Sequence, residues 1–252
     1  MTTFKATVAY DGTGFVGWQR QVEGTSIQGL LEDALRELDN RDVAVTGAGR
    51  TDAGVHAIGQ VASFALRRAI EGPALVRALN ARLPAAVRIV DAREVGDSFH
   101  ARFNAIRKTY RYRIWSGDVL SPFERDYAWH FSGPLDVRAM AAAAERLEGR
   151  HDFAAFQAAG SSAKTTVREL FSSRIKADAG ATPLIVYEVT GDGFLRHMVR
   201  AIVGSLVEIG RGRRPVEWIT EILYACDRTR AGPTAPPQGL MLVAVEYGLQ
   251  SA

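Results

Sequence analysis

A ten-residue run, Gly47-Ala48-Gly49-Arg50-Thr51-Asp52-Ala53-Gly54-Val55-His56, puts one carboxylate and one guanidinium among three glycines. Glycine lacks the Cβ that closes most of φ/ψ space, so such a segment turns sharply and lets its backbone approach another group closely. A carboxylate held there beside a guanidinium is expected to stay ionised, as a nucleophile or a base requires. Asp52 and Arg50 are therefore candidate site residues. The same residue types also build an ordinary hairpin connection with a surface ion pair, because turns favour Gly and Asp.

Two further side chains stand out by position. Tyr110 falls on a predicted strand in which Tyr110, Tyr112 and Ile114 alternate with Thr109, Arg111 and Arg113, so it is either a core tyrosine or a stacking surface beside cations. Arg200 lies at the edge of an apolar helical stripe, Leu195, Met198, Val199, Ile202, Val203 and Leu206. An arginine at such an edge needs an anion, with Asp52 or the nearby Glu208 as candidates. The run Gly12-Thr13-Gly14-Phe15-Val16-Gly17 matches a dinucleotide-binding pattern, but Trp18, Gln19 and Arg20 separate it from any helix start, so it is read as a close-approach loop or plain turn.

The elements that must position these residues follow from hydrophobic period. A strand is expected at Phe4–Tyr10. A helix over Ser26–Leu38 is expected to start with a Thr25/Gln28 capping box. Strands at Val43–Thr46 and Ile58–Leu66 flank the Asp52 loop, a helix runs from Pro73 to before Pro84, and a strand spans Val87–Val95. That order is βαββαβ, the ferredoxin-like split unit. A second set follows: a strand at Lys108–Trp115, a helix at Asp136–Leu147, strands at Thr166–Ile175 and Leu184–Thr190, a helix at Phe194–Ile209, an extra helix near Pro215 and a strand at Leu240–Tyr247. The fold expectation is therefore α+β, two ferredoxin-like halves with antiparallel sheets, residues 1–105 and 106–252. Gly160–Lys164 is expected to be a mobile loop.

Composition narrows the function classes. The 252 residues are 47% hydrophobic and 23% charged, and no apolar run approaches the ~20 residues that span a bilayer. Met1–Tyr10 lacks the pattern of a signal peptide, which favours a cytoplasmic protein. A single cysteine, Cys226, excludes an internal disulfide, and five scattered histidines show no ligand spacing, so no metal is expected. Net charge is +3, yet Arg102, Arg107, Lys108, Arg111 and Arg113 cluster without an acid between Ser98 and Gly117. Aromatics interleave them (Phe99, Phe103, Tyr110, Tyr112, Trp115), and Arg211, Arg213 and Arg214 form a second cluster. Such surfaces suit RNA.

The run from Gly49 to His56 closely resembles the catalytic loop of the tRNA pseudouridine synthase A family. Tyr10–Gln19, Phe99–Ala105, Tyr110-Arg111-Tyr112, Phe194–Gly204 and Gly239–Leu242 resemble the same family in order. The resemblance implies an isomerase acting on uridine 38, 39 and 40 of the tRNA anticodon stem-loop, without cofactor, as a homodimer, with its site in a cleft between two domains. It implies that Asp52 is catalytic, as nucleophile or base, that Tyr110 stacks on the target base, that Arg200 pairs with the carboxylate, and that Arg50 contacts RNA or fills the gap of a flipped nucleotide. Two other readings stay open: a tRNA-binding module or chaperone without chemistry, and a pseudouridine synthase with a different RNA target.

Overall fold

The computed structural model describes residues 1–160, 163–177 and 182–248. Part of the expected mobile loop, Ser161 and Ser162, lies outside them. The described chain forms two compact units, Met1–Ile106 with the C-terminal stretch from Met241, and Arg107–Leu240.

In the first unit the elements are β1 (Thr2–Tyr10), α1 (Ile27–Asp39), β2 (Thr46–Gly47), β3 (His56–Leu66), α2 (Gly72–Asn80) and β4 (Val87–Val95). β1 is antiparallel to both β3 and β4, and β2 pairs antiparallel with β3. The sheet order β4-β1-β3-β2 is that of the split unit read from the sequence. Phe4, Ala6, Val8 and Tyr10 of β1 point to one face and are buried, as period two requires. α1 covers the sheet with Ile27, Leu31, Ala34, Leu35 and Leu38. Its cap is Ser26, whose hydroxyl accepts the Gly29 amide at 3.1 Å, so the Thr25/Gln28 box is corrected by one residue. Gln28 is drawn away to the Val45 carbonyl at 3.0 Å. The expected strand Val43–Thr46 shrinks to Thr46–Gly47, with Val43 and Val45 buried singly before it.

The second unit holds β5 (Ala105–Trp115), β6 (Trp129–His130), α3 (Val137–Glu145), β7 (Gly149–Asp152), β8 (Val167–Ala177), β9 (Leu184–Gly191), α4 (Met198–Gly210) and α5 (Trp218–Ala225). β5, β9, β8 and β7 form consecutive antiparallel ladders. The short β6 and β7 are insertions that hydrophobic period did not reveal. The last strand, β10 (Leu240–Tyr247), forms where expected. From Met241, however, it runs parallel to β3, with Met241 opposite His56 and Leu242 opposite Ala57. The stretch from Met241 therefore belongs with the first unit and not with Arg107–Leu240.

The predicted helix at Phe194 starts four residues late. Its N-cap is His197 at φ +61°, a left-handed conformation that interrupts the helical ladder, and the Met198 amide instead closes a turn on the Leu195 carbonyl at 3.1 Å. Arg196 therefore precedes the helix, while Arg200 lies in its first turn.

Replacing Ser26 with Ala removes the α1 cap and is expected to cost about 1 kcal/mol, whereas Thr25→Ala changes stability by less than about 0.5 kcal/mol. Urea midpoints of the two variants check this assignment.

Candidate active site

Asp52 opens a tight turn between β2 and β3: the Val55 amide donates to the Asp52 carbonyl at 3.1 Å, with Gly54 at φ +75° in the third position. The backbone on either side of the carboxylate is held by the connection that follows β1. Gly17, at φ +102°, lies so close that an added Cβ would sit 2.6 Å from the Thr51 carbonyl oxygen. That same carbonyl accepts the Trp18 amide at 3.1 Å. A Cβ on Gly12 would strike the Val55 carbonyl, and the Gly54 amide reaches the Phe15 carbonyl at 3.4 Å. Gly12 and Gly17 of the apparent dinucleotide pattern thus serve contact between two loops, whereas Gly14, at φ +81°, meets nothing within 4 Å.

Side chains complete the frame from below. The Tyr10 and Thr51 hydroxyls share a buried 2.8 Å hydrogen bond. Gln60 donates to the Gly49 carbonyl at 3.0 Å and to the Tyr10 hydroxyl at 3.5 Å. Burial pushes the Tyr10 hydroxyl up to about 12, only partly offset by its bonds with Thr51 and Gln60. Asp52 itself is half-buried at the rim of this frame. Arg50 is exposed, and its Nε donates to Gln19 Oε1 at 3.0 Å, so the guanidinium is directed along the surface toward the first loop.

The remaining candidates lie in the second unit. Tyr110 is buried on β5 opposite Val189, and Phe194 meets its ring edge to face at 4.9 Å. Tyr112, two residues on, donates its hydroxyl to the Pro236 carbonyl at 2.7 Å, and burial raises its pKa well above the ordinary tyrosine range. Arg200 sits in the first turn of α4, and its Nε donates to the Ala235 carbonyl at 2.7 Å. The Ala235 amide returns a bond to the Arg200 carbonyl at 3.1 Å. Gly204 makes this exchange possible, because a Cβ there would collide with the Pro233 carbonyl. Ser205 adds a bond, accepting the Gly232 amide at 2.9 Å. Glu208, weighed as a partner for Arg200, takes Arg211 at 3.0 Å and Arg213 at 3.4 Å.

The family described as tRNA pseudouridine synthase matches residues 6–104 and 143–248, the spans that contain the Asp52 loop and the Arg200 helix. The chain belongs to this family. A curated relative in Myxococcus xanthus, tRNA pseudouridine synthase A, is 49% identical over 247 residues, 98% of this chain and 92% of its own. Relatives of the same name in Moorella thermoacetica and Syntrophotalea carbinolica are 48% and 45% identical, and each alignment takes in 98% or more of both chains. Among solved structures, a Cbf5-Nop10-Gar1 complex matches 95% of this chain and 48% of its own at 13% identity and a TM-score of 0.37.

In this tRNA pseudouridine synthase the basic clusters are not uniformly available. Arg111 pairs with Glu188, its opposite across the β5–β9 ladder, and Arg113 with Glu124 of the turn after β5, each at 2.7 Å. Arg107 instead lies over the Phe171 ring at 4.9 Å and Arg102 over Phe103 at 5.8 Å. Sequence reasoning missed the frame residues Tyr10, Thr51 and Gln60. The signal available was the alternation of β1, which points Tyr10 into the core, where a hydroxyl requires a partner. Among the described residues, no group of three or more His, Cys, Asp or Glu side chains could hold a metal, and no helix is long and apolar enough to cross a membrane.

Two outcomes follow. Gly17→Ala forces a strained backbone onto the Thr51 carbonyl and is expected to lower stability by more than about 1 kcal/mol, read from urea denaturation. The folded Tyr10 phenol ionises later than the ordinary value of 10.0, so its stabilising share is intact below about pH 10 and lost as pH rises through about 12. Tyr10→Phe should therefore flatten the alkaline fall of the unfolding midpoint.

Proposed function

We propose that this chain isomerises uridine to pseudouridine in tRNA, at positions 38, 39 and 40 of the anticodon stem-loop, with Asp52 as the catalytic residue. The observation that carries the reading is the carboxylate presented at a turn whose backbone is braced on both sides, within a span that matches the family. Relatives named tRNA pseudouridine synthase A, 43–49% identical, support the reaction class. In the reaction the N1–C1′ bond breaks, the uracil turns, and C5 bonds to C1′, while C5 loses a proton and N1 gains one. The isomerisation is redox-neutral and needs no group donor, which fits the expectation of a chain working without a cofactor.

Asp52 acts in its ionised form, whether on a carbon or on a ribose proton. Tyr110 offers a ring held by Phe194 for the target base, and its hydroxyl takes part in removing the C5 proton. Arg200, its guanidinium oriented by the Ala235 carbonyl, is read as the arginine that pairs with the carboxylate, as the family resemblance implies. Arg50, exposed and tied to Gln19, contacts the RNA backbone or fills the place of the flipped nucleotide. The enzyme is read as cytoplasmic, from the sequence pattern of Met1–Tyr10, and as a homodimer, from the family resemblance.

The test is a tRNA transcript incubated with the protein and mapped by carbodiimide labelling and primer extension. New stops at 38, 39 or 40 are expected. Stops only elsewhere would transfer the activity to another RNA address, and binding without stops would leave a tRNA-binding module. In the same assay Tyr110→Phe should keep tRNA binding and slow turnover, whereas Tyr110→Ala should weaken both. Equal activity of all three proteins would remove Tyr110 from the site.

A further inference from the structure

His56 closes the family-matching run, four residues after Asp52, and its side chain is 5% exposed. It faces back across the two loops. The Gly12 amide donates to His56 Nδ1 at 2.9 Å, in a buried hydrogen bond. A nitrogen that accepts carries no proton, so this bond requires the tautomer with its proton on Nε2. Asp11 Oδ1 lies 3.2 Å from the same Nδ1 and also accepts the Thr13 amide at 3.0 Å. The ring nitrogen therefore has the Gly12 amide and the Asp11 carboxylate on either side, and the Gly12 bond forms only with Nδ1 bare.

This bond is the one side-chain tie, among those described above, that joins the start of the glycine loop to the end of the Asp52 loop. Gly12 is also where the loops have no room to separate: its missing Cβ lets the Val55 carbonyl seat against it. Tyr10–Thr51 pins the near side of Asp52, and His56–Gly12 pins the far side. We infer that His56 is a positioning residue: by accepting the Gly12 amide on Nδ1 it sets the backbone path through Asp52 and so the aim of the carboxylate. The role rests on the reading of Asp52 as the reacting carboxylate. Misplacement of a reacting group by about 1 Å can cost about 100-fold in rate, so a remote backbone tie of this kind is sufficient to matter.

The test combines one spectroscopic and one kinetic measurement on the full chain. Nitrogen-15 correlation spectra of histidine-labelled wild-type protein should show His56 with Nε2 protonated and Nδ1 bare. An Nδ1-protonated tautomer would overturn the inference, whatever the protein catalyses. Kinetically, His56→Phe keeps the ring volume and removes the acceptor, whereas His56→Asn puts an amide oxygen the same number of bonds from the backbone as Nδ1. With a tRNA transcript, kcat for His56→Phe should fall by up to about 100-fold while KM stays within about threefold, and His56→Asn should recover most of kcat. Equal kcat for His56→Phe and wild type, or no recovery with His56→Asn, would overturn the positioning role. Should His56→Phe fail to fold, the tautomer and the kcat of His56→Asn decide alone, near-wild-type turnover supporting the role and its loss refuting it. A wild-type protein that forms no pseudouridine would instead strike the functional reading, leaving the tautomer to decide the Gly12 bond.

Discussion

Everything about the first unit's candidate site depends on two backbone segments lying in direct contact, Gly12–Gly17 and Thr51–Val55. Neither segment belongs to a helix or a strand, so neither inherits its position from a ladder. Their carbonyls and amides bond to each other, with Trp18 on Thr51 and Gly54 on Phe15. Gly12 and Gly17 occupy the points of closest approach, where a side chain would collide. Buried polar groups that are satisfied in this way rigidify a loop, because each alternative path leaves an amide or hydroxyl without a partner. The sheet below supplies the anchor, since β1 leads directly into one segment and β3 directly out of the other.

The second unit uses the same device on its own candidate residue. Arg200 could take many rotamers at a helix start, yet a carbonyl from a loop 35 residues away accepts its Nε. That loop is seated on α4 because Gly204 leaves room for the Pro233 carbonyl and Ser205 accepts the Gly232 amide. A charged side chain is thus aimed by backbone, and long-chain entropy is removed before any substrate arrives. Tyr110 is treated alike, its ring held edge-on by Phe194.

Much of this was legible in the chain because it is local. Alternation gave β1 and β5, helical period gave α1 and α4, and the glycine-flanked Asp52 announced its loop. What escaped depends on contacts between distant residues. Thr25 and Ser26 are equally good caps by type, and only the backbone path into α1 selects Ser26. The apolar pattern from Leu195 continues unbroken into α4, so nothing in it reveals that His197 adopts a left-handed conformation. The strand near the C-terminus was recognisable as a strand, but its ladder with β3 is a pairing across the sequence that period cannot encode. Arg111 and Arg113 read in the sequence as part of an acid-free basic cluster, and only the β5–β9 register and the turn after β5 bring Glu188 and Glu124 against them.

On the proposed function, Asp52 performs chemistry on a uridine and is not a turn residue in a binding module. The measurement that bears on it most directly is tritium release from tRNA carrying [5-³H]uridine, because forming the new bond at C5 expels that hydrogen to water. Wild type should release tritium, while Asp52→Asn should release none yet bind the same tRNA with nearly unchanged affinity. Release by Asp52→Asn at a rate near wild type would contradict the account.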